Sequence, residues 1–506
     1  MPATVQAEPH SPNRTIISDI RRRVWPLRLG VAALALGSLV AWWYAHAGLT
    51  LSHYDAKAHL VVARRIIDSL TPGWVQIGAV WLPLPHLVSM IPVQWGFFYR
   101  TGAFGVALSI VSFAASVYVL VRLIIGATGS RVAALAGALA FALNPNVLYL
   151  QSTPMTEPLL MALILVAAWF GIEAVQSGEP AARRRAGLGL AAAVLTRYEA
   201  WPFAAVFLVM CAVAALRQGR SVRASLQLAG RLAAYPAGAV LAFLLLSRAT
   251  VGAWFVTGGF FVAENPAQHR PLRALGSVWW GLHELSSHPL AIIGAAGLVM
   301  LLVRGLRSRH VAPWIPALAL AGAAALPWYA FYSGHPFRIR YMIPLLPVLG
   351  LGVGCAVGLA GRLKPFVAGL ALAALALGPS PLDPKAPMVL EAQWDRANQE
   401  GRARVAAYLR ANWDGQTIMA SMGSLAHFMQ ELSRDGLRIR DFLHEGNGDI
   451  WGAALEFPDP HAEWVLIEEQ AEGGDIVAER ARSRQGYLAG YARVAEGGGV
   501  ALYRRR

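Results

Sequence analysis

Residues 21–60 read RRRVWPLRLGVAALALGSLVAWWYAHAGLTLSHYDAKAHL, and this stretch decides how the rest of the chain is read. Arg21, Arg22 and Arg23 precede an apolar run that closes on Trp42, Trp43 and Tyr44. The run, over residues 27–45, is long enough to cross a hydrocarbon core, and its closing aromatics match an interfacial belt. Ala45-His46-Ala47 imitates a signal-peptide cleavage site, but the aromatic belt favours a retained first span. The chain then leaves the apolar phase through Ser52-His53-Tyr54-Asp55-Ala56-Lys57-Ala58-His59-Leu60. Ionisable groups beside a bilayer are costly and usually functional, so Asp55 calls for a reason.

Composition supports the same reading. The 506 residues are 56% hydrophobic and 14% charged, too apolar for a soluble enzyme of this size. The net charge of +15 does not point to nucleic acid, because the basic residues sit in short loops between apolar runs. We expect an all-α polytopic membrane domain of about 11 transmembrane helices. They fall near residues 27–45, 103–124, 131–150, 157–175, 186–197, 200–216, 230–248, 289–306, 312–331, 341–360 and 363–379. With Arg21–Arg23 in the cytoplasm, every inner loop is basic: Arg122 and Arg131; Arg183–Arg185; Arg217, Arg220, Arg223 and Arg231; Arg304, Arg307 and Arg309; Arg362 and Lys364. The outer side then receives loop 46–102, the turns near 151–157 and 196–201, loop 249–288, loop 332–340 and everything after about residue 380. Arginine outnumbers lysine heavily, which fits a GC-rich bacterial genome; the expected location is a bacterial inner membrane. Cys211 and Cys355 lie inside apolar runs, so neither a disulfide framework nor a zinc site is indicated.

The chain divides further. Residues 1–26 form a basic cytoplasmic N-terminus and 27–380 the membrane domain. Pro379, Pro381, Pro384 and Pro387 mark a linker over 381–396, and 19 of the 29 acidic residues lie after residue 380. Residues 397–412, 424–435 and 475–489 read as helices, 416–421 and 463–468 as strands, and 490–504 as a hairpin around Gly497-Gly498-Gly499. That makes 397–506 a small extracytoplasmic α/β domain. Gly446-Asn447-Gly448 lacks the context of a nucleotide-binding turn.

Within loop 46–102, residues 56–70 have the pattern of an amphipathic helix in the interface plane, stopped by Thr71-Pro72-Gly73. Asp55 at its start is either a general base or the N-cap of that helix, and the two roles are compatible. Glu157 opens another helix at an outer turn. It is either a second acid facing Asp55 or a first-turn carboxylate favoured by the helix dipole, with Thr156 as cap. Arg197 and Glu199, in Leu195-Thr196-Arg197-Tyr198-Glu199, are an internal ion pair or line a cavity with Tyr198. Arg338 and Arg340 are guanidiniums on the side where basic residues are disfavoured, and they suit a phosphate or lipid headgroups. Lys57 could meet a phosphate or pair with Asp55. His59, His86, Trp81 and Tyr341 complete the candidate cavity. His53, His59 and His86 lack a metal-ligand spacing. The sequence points to no particular cofactor and leaves a divalent metal, Mg or Mn, open; Asp55 and Glu157 are the pair that would share it.

These pieces together resemble the C-fold integral-membrane glycosyltransferases (the GT-C superfamily). The likeness rests on the first-loop Asp55 opening an interfacial helix, the Thr156-Glu157 helix start, the Leu195–Glu199 turn and the Arg340-Tyr341-x-x-Pro344 span. Within them the chain is similar to the protein mannosyltransferase and aminoarabinose transferase branch. The resemblance implies transfer of a sugar, with inversion, from a polyprenyl-phosphate donor to an extracytoplasmic acceptor: protein, lipid or cell-envelope glycan. It implies Asp55 as catalytic base, Glu157 as a second acidic site residue, and Arg338 and Arg340 at the donor phosphate; we expect Lys57 and Arg197 to join them there. Two departures stand out: Ala56 follows Asp55 where many relatives carry an acid, and Leu84-Pro85 replaces a Lys-Pro pair. Two other membrane functions use similar lipids. A transporter or flippase of lipid-linked glycans would favour internal repeats and ionisable groups at mid-bilayer, neither of which is evident. An outer-face glycan polymerase or ligase is the other.

Overall fold

The computed structural model describes residues 12–254, 256, 265–471 and 474–506, with side chains from residue 24 onward. The side chains of Arg21–Arg23 and part of the expected loop 249–288 lie outside the described residues.

Helix α1 (Pro12–His46) runs continuously through Pro26. Among the described residues, eight helices are long and apolar enough to cross a membrane. They are Val24–His46, Ala103–Thr128, Glu157–Ser177, Ala200–Arg217, Val222–Val251, His288–Arg307, Ala312–Tyr332 and Ile339–Leu359. The protein is a multi-pass membrane protein. Three further expected spans fall on shorter helices, Arg131–Ala142, Pro180–Val194 and Lys364–Ala376. The first stops early because Asn144-Pro145 starts a new helix (Pro145–Leu150): the Asn144 side chain accepts from the N–H groups of Asn146 and Val147. Small residues let the spans approach closely. A Cβ placed on Gly297 would lie 1.8 Å from the Gly352 carbonyl oxygen.

The C-terminal region carries a five-stranded mixed sheet in the order β2-β1-β3-β5-β4. Its strands are β1 (Ile418–Ala420), β2 (Phe442–Leu443), β3 (Trp464–Glu468), β4 (Tyr491–Gly497) and β5 (Val500–Arg505). β1 runs parallel to both neighbours, while β3, β5 and β4 are antiparallel, with Met419 opposite Val465 and Ile467 opposite Ala501. The β4–β5 turn uses Gly498 and Gly499 at φ of 60° and 79°, a left-handed region in which glycine is unstrained. The chain thus joins an all-α membrane region to a small α/β one. The helix Asp449–Glu456 and strand β2 were not anticipated; both are short, with little periodicity to read.

Helix α2 departs most from expectation. It spans Tyr54–Arg65 rather than 56–70, and every residue from Asp55 to Ala63 is buried. An interfacial helix would keep its polar face wet. Here the C-terminal region packs on the helix: Ala58, Leu60, Val61 and Ala63 share one core with Val405, Leu409, Leu425 and Phe428. Polar contacts complete the seam. Lys57 is ion-paired with Glu431, Asp68 with Arg440 at 2.7 Å, and Asn447 donates to Thr71 Oγ1 at 3.0 Å.

Candidate active site

The first turn of α2 carries Asp55, and His53 sets its geometry. His53 Nδ1 accepts the Asp55 N–H at 3.1 Å, so His53 is the N-cap and the Asp55 carboxylate is not used for capping. That carboxylate instead takes the Arg340 guanidinium, delivered from the start of the span Ile339–Leu359. Burial pushes the Asp55 carboxyl up, but Arg340, with His53 and His59, more than offsets this and holds it down to about 2. Asp55 is therefore a buried, paired and very weakly basic carboxylate.

A second cluster adjoins the first. Glu157 opens the helix Glu157–Ser177 and is fully buried, with Arg197 Nη1 2.8 Å from its Oε1, though not aligned as a hydrogen bond. Arg197 also binds Glu199 through Nε and Nη2, the latter at 2.7 Å, and donates to Thr156 Oγ1 at 3.1 Å. Thr156 thus receives Arg197 rather than making the side-chain cap expected of it. The charges of Asp55, Arg197 and Arg340 all act on His59, so the two clusters share one electrostatic neighbourhood.

The remaining candidates divide. His59 Nδ1 and His86 Nε2 are 3.0 Å apart, and the Trp81 ring lies 4.1 Å from His59. Burial holds both histidines neutral at physiological pH, His59 well below its ordinary value and His86 down to about 3. Tyr341 meets His335 Nε2 at 3.4 Å. Tyr198 donates to the Ala79 carbonyl at 3.3 Å and packs with Leu82 and Phe243. Arg338 stands over the Trp394 ring at 5.7 Å. Lys57 pairs with Glu431, neither with Asp55 nor toward an open phosphate site, because the helix Met422–Leu432 packs on its side of α2. Among the described residues, no three His, Cys, Asp or Glu side chains gather closely enough to hold a metal ion. Asp55 and Glu157, the pair expected to share one, are each engaged by an arginine instead.

One site residue was missed. Glu391 closes the short helix Pro387–Glu391, inside the segment read as linker. Its Oε1 lies 3.4 Å from His53 Nε2 and 3.9 Å from Arg340 Nε. The signal available was a lone acid within the apolar run Met388–Ala392; the flanking prolines obscured it.

The architecture has a solved counterpart. Crystal structures of ArnT from Cupriavidus metallidurans, in the apo state and bound to undecaprenyl phosphate, superpose with TM-scores of 0.57 and 0.55. The chain has the fold of ArnT. The match covers 94% of this chain and 97% of ArnT, at 15% and 14% identity, a level that speaks for the fold alone. No protein-family model matches the sequence, and no curated protein matches it. Both clusters sit at one end of the ArnT-like bundle, where Glu157, Glu199 and Arg340 mark the starts of three spans.

Proposed function

We propose that this protein is a membrane glycosyltransferase of the GT-C type. It moves a sugar from a polyprenyl-phosphate carrier to an acceptor hydroxyl on the extracytoplasmic side of a bacterial inner membrane, with inversion. Within that type we place it with the protein mannosyltransferases and aminoarabinose transferases. The observation that carries the reading is the buried Asp55–Arg340 pair at one end of an ArnT-like bundle. That one ArnT structure holds undecaprenyl phosphate supports a polyprenyl-phosphate donor.

The pair also implies an order of events. A carboxylate held near 2 by Arg340 is too weak a base to take a hydroxyl proton efficiently. The carrier phosphate competes for the same guanidinium and can engage it bidentately. As Arg340 turns to the phosphate, the largest force lowering the Asp55 pKa weakens and its basicity rises. The acceptor oxygen then attacks the anomeric carbon, and its proton passes to Asp55. The bond from that carbon to the phosphate oxygen breaks, and the electron pair leaves on the phosphate, whose charge Arg340 neutralises. Donor binding thereby prepares the base.

Asp55→Asn tests the assignment. In membranes supplied with polyprenyl-phosphate-linked sugar, it should lower transfer by at least about 100-fold while expression is unchanged. Full activity in the variant would overturn the role of Asp55. In reconstituted vesicles, carrier movement without glycoside formation would make the protein a transporter instead.

A further inference from the structure

We infer that Glu391 is a positioning residue for Asp55, acting through the His53 ring and through Arg340. The hydrogen bonds assign the tautomer. His53 Nδ1 accepts the Asp55 N–H, so in the neutral ring the proton is on Nε2, which faces Glu391 Oε1 at 3.4 Å. Both side chains are almost wholly buried, at 0% and 6% exposure, so water does not replace either partner. Glu391 is itself held: the adjoining Met388 N–H donates to Asn146 Oδ1 at 2.9 Å, and Asn146 Nδ2 donates to the Leu285 carbonyl at 3.0 Å. A line of contacts thus runs from the bundle through residues 387–391 to the first turn of α2.

Glu391 has a second point of action. It faces the Nε edge of Arg340, which has no hydrogen-bond partner, while Asp55 holds Nη1. When Arg340 releases Asp55, Glu391 keeps the guanidinium beside the site, so the side chain swings rather than departs. The catalytic part of this inference rests on the glycosyl-transfer reading; the structural part does not.

Hydrogen–deuterium exchange on the full-length protein in detergent tests the link. Glu391→Ala should speed exchange of the first-turn amides of α2, within residues 53–58, by about fivefold, the scale of a lost cap. Glu391→Gln keeps an acceptor for His53 Nε2–H and should restore wild-type exchange. His53→Asn can still cap the helix but cannot reach Glu391, so adding Glu391→Ala to it should change nothing further. If Glu391→Ala costs protection in β3, Glu391→Asp replaces it: the shortened carboxylate is withdrawn from His53 and should give the same acceleration. Unchanged exchange in the folded variant, or an undiminished Glu391→Ala effect in the His53→Asn background, overturns the inference. Transfer from polyprenyl-phosphate-linked sugar by Glu391→Ala should fall about tenfold or more. If exchange responds but the wild type transfers no sugar, the glycosyltransferase reading fails and the positioning stands. If the wild type transfers sugar but exchange does not respond, the positioning fails and the glycosyltransferase reading stands.

Discussion

Replacing Arg340 by glutamine removes the charge that governs Asp55. An ordinary aspartate titrates at 3.8 and this one at about 2. At about 1.36 kcal/mol per tenfold change in affinity for the proton, that difference is worth on the order of 2 kcal/mol. Its sign follows from the direction. A carboxyl lowered in the folded state stabilises the fold fully above about pH 4, and the contribution disappears as the pH falls toward 2. In Arg340→Gln, burial remains and the pairing is lost, so Asp55 moves above its ordinary value. Protonation then favours the fold, and this part of the acid dependence reverses. At pH 7 the variant keeps a buried unpaired carboxylate, which should cost about 3–5 kcal/mol. Thermal unfolding in detergent between pH 3 and 7 reads both effects against the wild type. The double variant Asp55→Asn, Arg340→Gln should recover much of the loss at pH 7, because no unpaired charge remains. An acid limb identical in wild type and Arg340→Gln, or a double variant no more stable than the single, would refute the pairing.

Two further outcomes concern stability alone. His59 and His86 are neutral in the fold, so below about pH 6.5 the unfolded chain binds protons that the folded one does not, and stability falls on acidification. From pH 7 to 5 His86, held down to about 3, contributes about 2 kcal/mol of that loss, and His86→Gln should lessen it by that amount in a denaturant series. Gly297→Ala places a methyl group against the Gly352 carbonyl and should destabilise the bundle by about 1–3 kcal/mol. Gly369→Ala, with open space around it, is the matched control, and equal melting midpoints for the two would contradict the close packing.

Charge scarcity made much of the site legible. Before residue 381 there are 10 acidic and 29 basic residues, so Asp55, Glu157 and Glu199 stood out, and the structure brings them to one end of the bundle with Arg197 and Arg340. Which arginine meets which acid was not legible, because Asp55 and Arg340 are 285 positions apart and periodicity carries no information across that distance. Lys57 shows the same limit: its helical pattern gave a polar face but not the covering that turns this face toward Glu431. Glu391 was hidden by composition, since a proline-rich stretch reads as linker whether or not a short helix docks within it.

The seam between α2 and the C-terminal region has a consequence for how the protein is made. Lys57 leaves the ribosome 374 residues ahead of Glu431, its partner. Through nearly all of synthesis α2 lacks the surface that buries it, whatever the progress of the membrane spans. Contacts of such long sequence separation form late and slowly. The Asp55 helix therefore acquires its final surroundings only after the helix Met422–Leu432 has emerged and docked, so that docking is a late step in burying the candidate site.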